Sequence, residues 1–168
     1  MNLFLWGALP YIAFTFLIVG TLVRFFYFER NWTTKSSQFL EKKQLRIANP
    51  LFHFGLLCVI GGHVVGVLIP KTWTAAIGIN DHMYHQGALY MGAVAGLIFI
   101  VGFLLLMKRR FTVAELKVNT SGLDKWLYLF LTLAIFSGMA GTLLNASGFF
   151  DYRVSIGPWF RSLLSFMP

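Results

Sequence analysis

The stretch 49-NPLFHFGLLCVIGGHVVGVLIP-70 is apolar enough to lie in hydrocarbon, yet it carries two histidines, His53 and His63, ten residues apart. Its length suits one helical crossing of a bilayer core about 30 Å thick, at roughly 1.5 Å rise per residue. Asn49 followed by Pro50 reads as an N-cap with proline at the first helical position, so the helix is predicted to begin there. His63 then lies about 15 Å further along the axis than His53, and the two side chains point roughly 80° apart around the helix. At that separation they cannot share one metal ion.

The rest of the chain has the same character. Its 168 residues are 57% hydrophobic and only 12% charged, with a mean hydropathy of +0.69, far from the balance of a water-soluble domain. Three further runs are long enough to cross a membrane: Leu3 to Phe26, Gly87 to Met107 and Lys125 to Leu144. Hydrocarbon cannot hydrogen-bond a backbone, so spans must be helices or closed barrels, and four are too few for a barrel. The expected fold is therefore an all-α integral membrane protein, an antiparallel bundle of four transmembrane helices making a single domain over residues 1–168. No Lys or Arg precedes Arg24 and the first apolar run is too long for a signal peptide, so the first span is expected to remain.

The net charge of +8 invites a nucleic-acid reading, but the cations sit between apolar spans and not on one soluble face, which excludes it. Arg24, Arg30, Lys35, Lys42, Lys43 and Arg46 lie between the first two spans; Lys108, Arg109, Arg110, Lys117 and Lys125 separate the last two. The positive-inside rule puts these basic loops in the cytoplasm and the N-terminus outside. Such loops are also compatible with docking a cytoplasmic partner. The loop Glu29 to Asn49 is long enough for a short amphipathic helix. In the tail, GFFDYRVSIGPWFRSLLSFMP, Pro158 is expected to start a short helix at the outer interface. Cys58, alone in an apolar run, is expected to be a packing residue.

A titratable ring inside a span is costly and should face the bundle interior with a partner. One reading is a hydrogen bond between helices. The other is iron: imidazoles at two depths suit two haems, one per leaflet, each held axially by a ring nitrogen. Gly55, Gly61, Gly62 and Gly66 leave room for a flat porphyrin or a neighbouring helix, and Gly62 and Gly66 form a GxxxG pair. His82 and His85, at helical i, i+3 spacing in GINDHMYHQG, belong to the outer surface, where they are either solvated or able to bind a metal, a quinone carbonyl or a proton.

The segments LPYIAFTFLIVGTLVRFFYFERNWTTKSSQFLEKKQLRIANPLFHFG (9–55), GGHVVG (61–66) and DYRVSIGPWFRSL (151–163) resemble the gamma subunit of membrane-bound respiratory nitrate reductase. That resemblance implies a five-helix anchor in a bacterial cell membrane, a cytochrome b binding two b-type haems in anaerobic nitrate respiration. It implies oxidation of quinol, menaquinol above all, near the outer face. Electrons would pass to a cytoplasmic iron-sulfur beta subunit and then to a molybdenum-containing alpha subunit, the whole acting as a quinol:nitrate oxidoreductase.

By position, His53 resembles the axial ligand of the inner haem and His63 that of the outer haem. Gly62 and His63 match the quinol pocket, with His82 and His85 beside a position, Met83, where some relatives carry a lysine. The family's fifth helix supplies the second axial histidines, and this chain stops at Pro168 before any such helix. The expectation is a gamma subunit lacking its last transmembrane helix, with Met107 the unusual side chain at the depth of His53. The alternative is a haem-free helical membrane scaffold, whose histidines bond between helices and whose basic loops anchor a soluble partner.

Overall fold

Polar residues at the ends of the apolar runs set the helix boundaries. In the computed structural model, which describes residues 3–28, 39–149 and 151–167, the helices are α1 (Leu9–Tyr27), α2 (Lys43–Leu68), α3 (Lys71–Ala76), α4 (Asp81–Thr112), α5 (Ala114–Val118), α6 (Gly122–Ala146) and α7 (Tyr152–Leu164). A π-helical turn, Phe4–Ala8, precedes α1, with the Leu9 N–H donating to the Phe4 carbonyl. Four helical segments are long and apolar enough to cross a membrane: Phe4–Tyr27, Lys43–Leu68, Asp81–Thr112 and Gly122–Ala146. The four expected spans are all present within an all-helical fold.

Two of the spans begin earlier than their apolar runs because polar caps extend them. Asn80 accepts the Met83 N–H at 2.8 Å, starting α4 six residues before Gly87. Ser121 and Asp124 form a reciprocal capping box at the start of α6. The expected start of α2 at Asn49 and Pro50 is corrected: the helix begins at Lys43, with the Gln44 N–H donating to the Glu41 carboxylate at 2.8 Å. Pro50 is interior and forfeits the bond to the Arg46 carbonyl. Arg46 is exposed in the polar first turns, where water can replace that bond. Of the segment expected to hold a separate amphipathic helix, residues 43–49 belong to α2, while 29–38, with Arg30 and Lys35, lie outside the described residues.

The chain forms two compact units. In the first, residues 1–37 with 162–168, the Tyr11 hydroxyl donates to the Leu163 carbonyl at 2.8 Å and the Tyr11 ring stacks on Phe166 at 5.7 Å. No residue in the most apolar stretch of α1 or α6 is buried, so lipid or other protein must cover those faces.

In the second unit, residues 38–161, α2 and α4 run antiparallel with their backbones nearly touching. A Cβ on Gly55 would meet the Phe99 backbone nitrogen at 2.5 Å, and one on Gly102 would overlap the Phe52 backbone nitrogen. Phe52 packs on Phe99 at 5.2 Å and on Phe103 at 6.4 Å, and Phe103 reaches Tyr128 of α6 at 6.1 Å. Glycine at both crossing points is what lets the helices come this close.

The tail helix also departs from expectation. It starts at Tyr152, six residues before Pro158, because the Asp151 carboxylate accepts the Arg153 N–H at 2.8 Å and its carbonyl accepts the Val154 and Ser155 N–H groups. At thirteen residues it is too short to cross a bilayer. Cys58 is exposed rather than packed, since nothing described covers that side of α2 one turn beyond Gly55.

Candidate functional site

Both imidazoles of α2 are held by their own helix. His53 Nδ1 lies 2.9 Å from the Asn49 carbonyl and His63 Nδ1 lies 2.7 Å from the Val59 carbonyl, each four residues back. A carbonyl can only accept, so Nδ1 carries the proton in each neutral ring and Nε2 is left with its lone pair. Metal-bound histidines typically show this arrangement, the far nitrogen donating to a carbonyl that fixes tautomer and direction. The edge of His53 also meets the Phe52 ring, at 5.2 Å.

Neither ring faces the interior of its unit, contrary to expectation: both are exposed, and among the described residues neither bonds another helix. The reason lies in the α2–α4 seam, which runs through Phe52 and Gly55 and leaves the histidine faces uncovered. The four glycines divide. Gly55 and Gly66 are buried contact points, whereas a Cβ on Gly61 or Gly62 would find nothing within 4 Å. Gly62 and Gly66 therefore do not act as a joint packing pair here.

The donors present fit haem iron as one imidazole nitrogen each, with Nε2 free, the Nδ1 edge of each ring held and open space beside His63 at Gly61 and Gly62. No group of three or more His, Cys, Asp or Glu side chains able to hold a metal occurs among the described residues. Met107 is half-buried on α4. His82 and His85 occupy the first two turns of α4, the former exposed and the latter half-buried, and neither is hydrogen-bonded to His63.

Ion pairs close both ends of the second unit. At the end where α4 meets α5, the basic end, Arg109 is buried and donates through Nε to the Glu41 carboxylate and through Nη2 to the Glu41 carbonyl, both at 2.7 Å. Arg110 pairs with Asp124 at 2.6 Å. The Gln44 N–H and the Arg109 guanidinium hold the Glu41 carboxyl below its ordinary range. Lys42, Lys43, Arg46, Lys108, Lys117 and Lys125 remain exposed there.

At the opposite, far end, Lys71 bridges Asp81 and Asp151, both at 3.2 Å. Buried Arg153 donates to Thr74 at 3.1 Å and to Asp81 at 3.4 Å, and lies 3.6 Å over the Tyr84 ring. Burial opposes the charged forms of Lys71 and Asp151, yet hydrogen bonds from the Arg153 N–H and the Lys71 ammonium lower Asp151, and the two carboxylates raise Lys71. Burial also raises the Tyr152 hydroxyl, as does its hydrogen bond with Tyr84.

Sequence reading missed these clusters. Their signal was scarcity: the chain has six acids, and Glu41, Asp81, Asp124 and Asp151 are each spent on a cation.

Residues 2–168 match the family model described as nitrate reductase gamma subunit. The chain is 44% identical to the nitrate reductase gamma chain of Bacillus subtilis over 165 residues, covering 98% of this chain and 74% of the relative. Against the respiratory nitrate reductase 1 gamma chain of Escherichia coli it is 31% identical, covering 85% and 62% respectively. Against the nitrate reductase-like protein NarX of Mycobacterium tuberculosis identity is 40%, over 97% of this chain but only 26% of the relative.

Proposed function

The chain belongs to the nitrate reductase gamma subunit family, and on that premise we propose that it is the membrane anchor of a quinol-oxidising nitrate reductase, holding two b-type haems through His53 and His63. Bound haem would supply one-electron redox chemistry at two depths of the membrane. The chain's own part is to present Nε2 of His53 on the cytoplasmic side and Nε2 of His63 on the outer side. The Asn49 and Val59 carbonyls hold each ring in the tautomer that ligation requires. A further helix, which the family resemblance implies, would supply the remaining ligands.

Quinol, menaquinol by the same resemblance, would enter beside His63, where Gly62 offers open space. It would release its protons outward, with His82 and His85 as candidate acceptors. Electrons would leave at the basic end towards an iron-sulfur beta subunit and a molybdenum-containing alpha subunit. Arg109 and Arg110 are already engaged within the chain, so docking would fall to Lys42, Lys43, Arg46, Lys108, Lys117 and Lys125. The placement of those charges supports an orientation with the N-terminus outside, and the cell-membrane location is the one the family resemblance implies.

The observation that carries this reading is that, among the described residues, both imidazoles bond only their own helix and keep Nε2 free, whereas a haem-free scaffold calls for bonds between helices. A reduced-minus-oxidised visible spectrum of the intact purified assembly tests it. A sharp alpha band is expected, with His53→Ala and His63→Ala each removing one of two haems. Colourless assembly, or either variant keeping both haems, would refute the assignment.

A further inference from the structure

The last turn of α2 lies one turn beyond His63, and α7 holds it at two points. Arg161 Nη1 donates to the Val67 carbonyl at 2.7 Å. Val67 is among the final residues of α2, where carbonyls lack a donor from the next turn and a cation is favoured by the helix dipole. Tyr152 lies against Gly66, where a Cβ would approach its Cε2 to 2.9 Å and its hydroxyl to 3.2 Å. Buried Gly157 makes room for this grip, since a Cβ there would stand 3.1 Å from Arg161 Nη1 and 3.6 Å from the Val67 carbonyl.

The start of α7 is itself anchored. Asp151 pairs with Lys71 of α3, while Arg153 reaches Thr74 of α3 and Asp81 and Tyr84 of α4. The far end of α2 is thus tied through a short helix to two others. Val67 follows His63 by four residues and Gly66 follows it by three, spacings that share a helix face with the imidazole.

We infer that Arg161 and Tyr152 are positioning residues for His63: by gripping Val67 and Gly66 they set the pitch of the turn that aims its ring. The inference rests on the reading that His63 holds iron. Arg161 and Tyr152 touch neither iron nor quinol; they act through the last turn of α2.

The test compares Arg161→Met, Arg161→Lys and Gly66→Ala in the intact haem-loaded assembly. In Arg161→Met, amides in the last turn of α2 should exchange about tenfold faster, as expected for loss of one charge-assisted hydrogen bond. The outer haem should keep full occupancy, but its midpoint potential and low-spin resonance should shift while those of the inner haem stay fixed. Arg161→Lys, which can still donate to one carbonyl, should restore the parental values. Gly66→Ala leaves Arg161 in place and displaces Tyr152, so it should move the outer-haem signal alone even where Arg161→Met assembles poorly. Faster exchange with both haem signals unmoved would reduce α7 to a structural strap and overturn the inference. Unchanged exchange and signals would overturn it too. A parental assembly without haem would overturn the underlying reading, and is recognised before any variant is made.

Discussion

The two halves of α2 use the same residue type for opposite ends. In the half bearing His53, Gly55 is a contact surface where two backbones meet, and Gly102 answers it from α4. In the half bearing His63, Gly61 and Gly62 face open space, and the next contact is Gly66 beneath Tyr152. At Gly55 the helix is pressed against the α4 backbone; at Gly61 and Gly62 it meets nothing within 4 Å, and at Gly66 it meets Tyr152 of α7. Glycine in an apolar run therefore carries no single meaning. What stands opposite decides whether it joins helices or leaves a gap.

The largest expected break in this contrast is Gly102→Ala, whose Cβ would land on the Phe52 backbone. Forced separation of α2 and α4 should cost about 1–3 kcal/mol, or on the order of 5 °C in Tm. Thermal unfolding of the assembly in detergent measures it, and an unchanged Tm would mean the seam yields more easily than its geometry implies.

Acid should come next, acting at both ends. The Asp151 carboxyl is lowered from 3.8, so its stabilisation is complete above that value and is lost as pH falls through the folded value. Glu41 behaves alike. Lys71 is raised from 10.5, so its contribution is complete below that value and is lost only as pH rises through the folded one. Stability of the far-end network should thus be flat between about pH 5 and 10 and fall below about pH 4. Trp159 fluorescence follows it at the far end.

The smallest effect on folding is expected from Gly61→Ala and Gly62→Ala, within about 1 kcal/mol of the parent and on the stabilising side, because alanine favours the helix and meets nothing. The two variants sharpen the contrast best when haem content and quinol-dependent reduction are also measured. A drop in either without loss of Tm would mean that the gap belongs to a ligand. No change in any would mean it faces only lipid.

Much of this was legible in the linear sequence. Unbroken apolar runs located all four spans, and an imidazole inside such a run is costly enough to single out His53 and His63. The boundaries were harder to read. Asn49 and Pro50 look like a helix start, yet Lys43 to Arg46 already form a turn fastened by Glu41, and proline lost only a bond in a polar region. Similarly, Pro158 was eclipsed by the cap at Asp151.

The ends of the second unit were illegible for a different reason. Glu41 meets Arg109 across 68 positions, Arg153 meets Thr74 across 79, and Arg161 meets Val67 across 94. No local pattern encodes such pairs, although the shortage of acids hinted that several of them had a partner. Cys58 erred in the same way, because an apolar neighbourhood in sequence is not a covered one in space.

Because each imidazole is moored to a carbonyl one turn behind it, both rings are carried on a single rod. Between residues 53 and 63 the helix is unbroken, which sets a separation of about 15 Å along the axis. Electron tunnelling decays exponentially with distance, so the spacing of any groups held at the two positions would be set by one continuous ladder of hydrogen bonds. Transfer between groups seated there would keep a steady pace while the bilayer around them flexes.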